Sequence, residues 1–169
     1  MPSLSLTRVN QKLAQARALL QVIDESALTP LSLNSIQEAV AFHLICAYQH
    51  YLCEIAEVYW LKNVAAIRTE SDLITAFYAA KKHPAEAEEL LVLRTEKNSW
   101  LAQLHIYYES LWLVPVITLS DTQQDDRFIN VVNLESNFDV ASVDLALIDS
   151  WHLALLALIT RQRQTSAEF

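Results

Sequence analysis

The 169-residue chain contains no glycine at all. Average usage of roughly 7% would place about twelve in a chain of this length. Glycine serves where the backbone needs positive φ, as in tight hairpins and phosphate loops. Without it, a P-loop or a dinucleotide-binding turn cannot be built in the usual way. Charge is also scarce, at 19% of residues, and only two cysteines and four prolines occur. No run of 18 apolar residues exists. The nearest approach, Val143 to Thr160, is broken by Asp144, Asp149 and His152, so no membrane-spanning segment is expected. Residues 1–12 lack the basic start and apolar run of a signal peptide, so none is expected. Cys46 and Cys53, seven apart on one helix, would lie ~10 Å apart, too far for a disulfide with each other. A reduced, cytoplasmic protein is the simple expectation.

Apolar side chains, by contrast, are abundant, at 53%. That excess excludes disorder as the main state. It calls for a thick core, a subunit interface or a ligand cavity. The net charge of −8 repels phosphate backbones and speaks against nucleic acid as a partner. The basic pair Arg161 and Arg163 suits the negative C-terminus of a helix.

Apolar spacing of three and four predicts a first helix over Leu6 to Ile23, capped by Ser5 or Thr7. Leu28-Thr29-Pro30 reads as a break, because the residue before proline avoids helical geometry. A capping box at Ser35-x-x-Glu38 predicts the start of a long helix near Asn34 or Ser35, running to about Lys62. Ser71 opens a helix to Lys82. Pro84 sits in the first turn of the next, before Glu86, Glu88 and Glu89. Asn98 or Ser99 caps a helix from Trp100 to Leu113. A last helix covers about Val140 to Arg163. The stretch 116–138 is the least regular, with a short extended piece possible in pattern at 128–132. The expectation is therefore an all-α, single-domain antiparallel bundle of five to six helices over residues 1–169.

The stretch HLICAYQHYLCE, residues 43–54, carries metal-ligating residue types at helical spacing. On a helical wheel His43, His50, Glu54 and Glu57 share a ~60° arc away from the main apolar face. Cys46 and Cys53 lie beside them. Two readings stand. In one, the stripe faces water or a groove between helices, with His50 and Glu54 as an ordinary i, i+4 pair. In the other it holds a divalent metal. One straight helix supplies only two or three ligands from neighbouring turns, so His105, or His152 with Asp149, would have to complete the set. Glu-x-x-His, the pattern of di-metal carboxylate bundles, does not occur. H-E-x-x-H, C-x-x-C and G-x-S-x-G are also missing. Asp121, Asp125 and Asp126 lack the glycine and closing glutamate of a calcium loop.

Several motifs resemble those of a proteobacterial family of helical proteins of unknown function. They are Asn10-x-Lys12-Leu13, Phe42-His43-Leu44 with Ala47-Tyr48, and Leu52-x-Glu54-Ile55-Ala56. Later come Glu89-Leu90-x-x-Leu93, Ser99-Trp100-Leu101-x-x-Leu104, and Trp151 followed by Arg161-x-Arg163 and Glu168-Phe169. The resemblance implies an all-helical bacterial cytosolic protein and supplies no activity. The functional expectation is a non-enzymatic binding or scaffold protein that self-associates, with no cofactor. The alternative is a metal-dependent enzyme built on His43, His50, Glu54 and Glu57. A third option, a membrane-surface role for the last helix, is disfavoured by the acidic charge.

Overall fold

The computed structural model describes residues 3–21, 28–113 and 138–166. Among these there are six α-helices and no strand, so the fold is all-α. They are α1 (Leu4–Gln21), α2 (Pro30–Val58), α3 (Glu70–Ala79), α4 (Ala85–Thr95), α5 (Trp100–Ser110) and α6 (Leu145–Ser166). The expected extended piece at 128–132 and the aspartates 121, 125 and 126 lie outside the described residues.

The helix ends differ from expectation in instructive ways. α1 begins at Leu4, because the Ser3 hydroxyl accepts the Leu6 amide at 3.2 Å. Ser5 is inside the helix and points inward; Ile23 lies outside the described residues. α2 begins at Pro30, not at Asn34 or Ser35. Proline suits the first helical position, where its missing N–H costs nothing. Thr29, held extended as the residue before proline, accepts the Ser32 amide as the N-cap. The feature read as a stop is a start. Ser35 donates instead to the Leu31 carbonyl one turn back.

α2 stops at Val58 rather than Lys62. Leu61 N–H bonds to the Ala56 carbonyl and Trp60 N–H to the Glu57 carbonyl. This is a Schellman cap, whose closing residue must be left-handed. Glycine usually fills that place; here it is Trp60, at φ 57°. α3 ends the same way. Lys82 N–H meets Phe77 and Lys81 N–H meets Tyr78, with Lys81 at φ 55°. A chain without glycine thus closes two helices on large side chains. α3 opens at Glu70, earlier than Ser71 suggested, because Thr69 and Asp72 form a reciprocal capping box. Pro84 is the N-cap of α4 and not a residue of its first turn. Ser99 caps α5 as expected, and that helix ends at Ser110. Val140–Ser142 forms only a single 3-10 turn, and α6 starts after Asp144 accepts the Leu147 amide.

α2, at 29 residues, is ~43 Å long and central. Val40, Ala41, Leu44, Ala47, Tyr48, Leu52 and Ala56 are buried along it. Leu13 of α1, Leu73 and Phe77 of α3, Leu90 of α4, Leu104 of α5 and Trp151 and Leu155 of α6 join the same core. α1 runs antiparallel to α2, since Ser5 meets Glu57 and Lys12 lies over Phe42. α6 runs parallel to α2, since Glu54 meets Arg163 near the C-terminal ends of both. The neighbours are therefore not all antiparallel.

Candidate functional site

The stripe on α2 faces α1 along its length, and at Glu54 it also meets α6. Glu54 is 3% exposed. Its carboxylate receives two parallel hydrogen bonds from Arg163, Nε to Oε1 at 2.7 Å and Nη2 to Oε2 at 2.8 Å. Such a fork fixes both distance and plane. The third edge of the guanidinium donates from Nη1 to Asn10 Oδ1 at 2.9 Å. One arginine therefore ties α6 to both α1 and α2. One turn along, Glu57 accepts the Ser3 hydroxyl and, at 2.7 Å, the Ser5 hydroxyl.

A second chain of bonds runs beside the first. Tyr51 donates to Gln162 Oε1 at 2.8 Å, and Gln162 Nε2 donates to Glu89 Oε2 at 2.7 Å. Arg161 reaches Glu89 Oε1 at 2.5 Å. Burial pushes the Glu89 carboxyl up, but the bonds from Arg161 and Gln162 and the guanidinium charge outweigh it and hold it below the usual range. Arg163 stands in the last turn of α6, as the sequence suggested, and both Arg161 and Arg163 also pair with carboxylates on other helices. Leu6, Ile55, Val58 and Tyr59 wall a cavity of about 280 Å³ with Glu54 and Arg163 at its edge. That is just below the ~300–1,000 Å³ usual for small-molecule sites.

The histidines of the stripe sit higher on α2, half-buried against α1. Burial, and then the Lys12 ammonium, lower the pKa of His43. Burial, then Arg8 and Lys12, do the same for His50. The two imidazoles thus face cationic side chains. His105 projects from α5 edge-on to Tyr48, with ring centroids 5.5 Å apart. Burial, with a smaller push from Arg94, takes its pKa down to about 3. Tyr48 in turn donates to the buried Glu70 at 2.6 Å. His152 is buried against α1 and bonded to the Leu13 backbone. Burial lowers its pKa; Asp149 and the Leu13 bond oppose this, and Arg17 adds to it. Asp149 itself is exposed.

The structure therefore brings Glu54 and Glu57 together along one groove and leaves His105 and His152 on separate contacts. Among the described residues no three His, Cys, Asp or Glu side chains gather so as to hold one metal ion. Cys53 directs its thiol to the Val64 and Ile67 carbonyls at 3.8 and 3.7 Å. Burial raises the pKa of both cysteines, which keeps them poor nucleophiles. What the arrangement does chemically is lock three helices electrostatically.

Sequence reasoning found Glu54 but not its partner. A signal was present nonetheless. Asn10, Glu54, Glu89, Arg161 and Arg163 are five of the polar residues in the motifs quoted above, and they pair with one another. Trp60, 89% exposed at a strained turn, was passed over because no pattern marks it. No helix among the described residues is long and apolar enough to cross a membrane. No curated protein and no solved structure matches this chain. The model of one family, the family of unknown function DUF6586, matches residues 1–169, and the chain belongs to that family.

Proposed function

We propose that this is a non-enzymatic helical binding or scaffold protein of the bacterial cytosol that works as a homo-oligomer. One observation carries the reading: the charged stripe is spent inside the molecule while large apolar side chains stand outside. Glu54 and Glu57 are bonded to Arg163, Ser3 and Ser5. Meanwhile Leu31, Trp60, Trp112, Leu113 and Leu153 are exposed. An indole buries ~200 Å² when covered, so Trp60 alone offers about 5 kcal/mol of apolar transfer at ~25 cal/mol per Å². Its left-handed backbone costs roughly a further 1–2 kcal/mol. A chain that keeps such a residue in water has a use for it at an interface.

The reading gives the stripe no metal. Lys12 and Arg8 beside His43 and His50 repel a cation, and Arg163 already neutralises Glu54. Two free cysteines suit a reducing compartment. The net charge of −8 suits protein partners better than nucleic acid. The test is light scattering on the purified chain at micromolar concentration. A mass at least double 19.2 kDa is expected; a monomer at all concentrations overturns the oligomer.

A further inference from the structure

We propose that copies of this chain join head to tail, with Trp60 of one copy seated in the cleft between α1 and α6 of the next. The inference deepens the self-association reading and rests on it.

The two surfaces lie at opposite ends of the molecule. Trp60 follows the C-terminal end of α2. The cleft is formed by the last turns of α1 and the first turns of α6. Because α1 runs antiparallel and α6 parallel to α2, that is the N-terminal end of α2, most of its ~43 Å away. The cleft has a volume of about 470 Å³ and is lined by Leu20, Leu153 and Leu156 and, to a similar extent, by the polar side chains of Arg17, Asp149 and His152. Leu153 is 56% exposed. An aromatic anchor filling a leucine-lined pocket is the usual centre of a protein interface. Arg17 is placed to stack on an indole that enters.

Charge matches the same pairing. Residues 60–83 hold Lys62, Arg68, Lys81 and Lys82 against Glu70 and Asp72, a net of +2 in a chain of net −8. At the other end, Asp139, Asp144 and Asp149 are all exposed around the start of α6. An aromatic projection with a basic surround meets a cleft of leucines and polar side chains with exposed aspartates around it. A two-fold dimer through the Trp60 corners would instead bring Lys62, Lys81 and Lys82 of both copies together, which like-charge repulsion opposes. Joining unlike surfaces gives rings or open chains, not a closed two-fold pair.

Two variants separate the outcomes. The head-blocked form is Trp60→Asn with Lys62→Glu; asparagine accepts the left-handed backbone. The tail-blocked form is Leu153→Lys with Leu156→Lys. All four positions are exposed, and circular dichroism confirms the fold of each; Leu153→Asn alone is the milder tail variant. By sedimentation velocity, each variant alone is expected at 19.2 kDa at concentrations where the wild type is larger. An equal mixture is expected to give a species of twice that mass, since one open head and one open tail remain. Raising salt from 0.1 to 0.5 M is expected to weaken that dimer at least threefold. If both variants still assemble as the wild type does, the head-to-tail contact is wrong while self-association stands. A mixture that stays monomeric also overturns it. A wild type that never exceeds one chain removes the self-association reading itself.

Discussion

Arg163→Ala is the perturbation whose cost can be worked most fully. Arg163 makes two bonds to Glu54 and one to Asn10, joining α6 to α2 and α1. Its removal leaves a carboxylate that is 3% exposed without its counter-ion. Breaking a buried pair from one side costs about 3–5 kcal/mol. The lower end applies here, because the arginine side chain is 29% exposed and the neighbouring cavity admits water. A loss of about 3 kcal/mol is a large share of the 5–15 kcal/mol typical of a folded domain. For a chain of this size it lowers Tm by about 6–12 °C. The assay is urea and thermal unfolding by circular dichroism at one fixed protein concentration, since association would shift apparent stability. Glu54→Leu with Arg163→Met replaces both charges and is expected to recover most of the loss. The coupling in that cycle is expected above about 2 kcal/mol. If Arg163→Ala costs under ~1 kcal/mol, or the two sites fail to couple, the lock is not what holds these helices together.

Two further perturbations follow from the same geometry. Trp60→Gly relieves a left-handed backbone at no loss of buried contact, so in dilute, monomeric conditions it is expected to stabilise by about 1 kcal/mol in urea unfolding; destabilisation would mean the indole packs on its own chain. Part of the pH dependence comes from histidines kept neutral by burial. His105 is held at about 3 when folded, against an ordinary value near 6.5. Between those values the unfolded chain takes up the proton and the folded one does not. Stability is therefore fully present above about pH 6.5 and falls as pH drops towards 3, by at most ~1.4 kcal/mol per pH unit for this one group. His105→Phe is expected to flatten that slope, and an unchanged slope would assign it to the other shifted groups, His43, His50, His152 and the carboxyls of Glu89 and Asp72.

Much of this was legible in the sequence. The helical spacing in HLICAYQHYLCE placed Glu54 and Glu57 on one stripe, and both do line one groove, but Glu54 is buried there and not set apart from the packed faces of the helix. The Ser99 cap was readable because a serine hydroxyl meets the amide three residues on. What the stripe faces was not readable. Arg163 lies 109 residues from Glu54 in the chain, and a wheel carries no information about which helix crosses it. Pro30 misled because proline breaks a helix in its interior but favours its first position. The end of α2 misled for the opposite reason. Helix ends are usually marked by glycine, and Trp60 and Lys81 carry the left-handed turn without announcing it. The place of Arg163 at the end of a helix was readable, but the carboxylates that Arg161 and Arg163 meet on other helices were not.

The central claim is that the α2 stripe binds its own chain and not a metal ion. Elemental analysis tests it most directly, on untagged protein purified without chelator, beside the His43→Ala/His50→Ala variant. Background levels of zinc, iron and manganese, equal in both, are the expected result. Near-stoichiometric metal in the wild type that vanishes in the variant would contradict it and make the stripe a metal site after all.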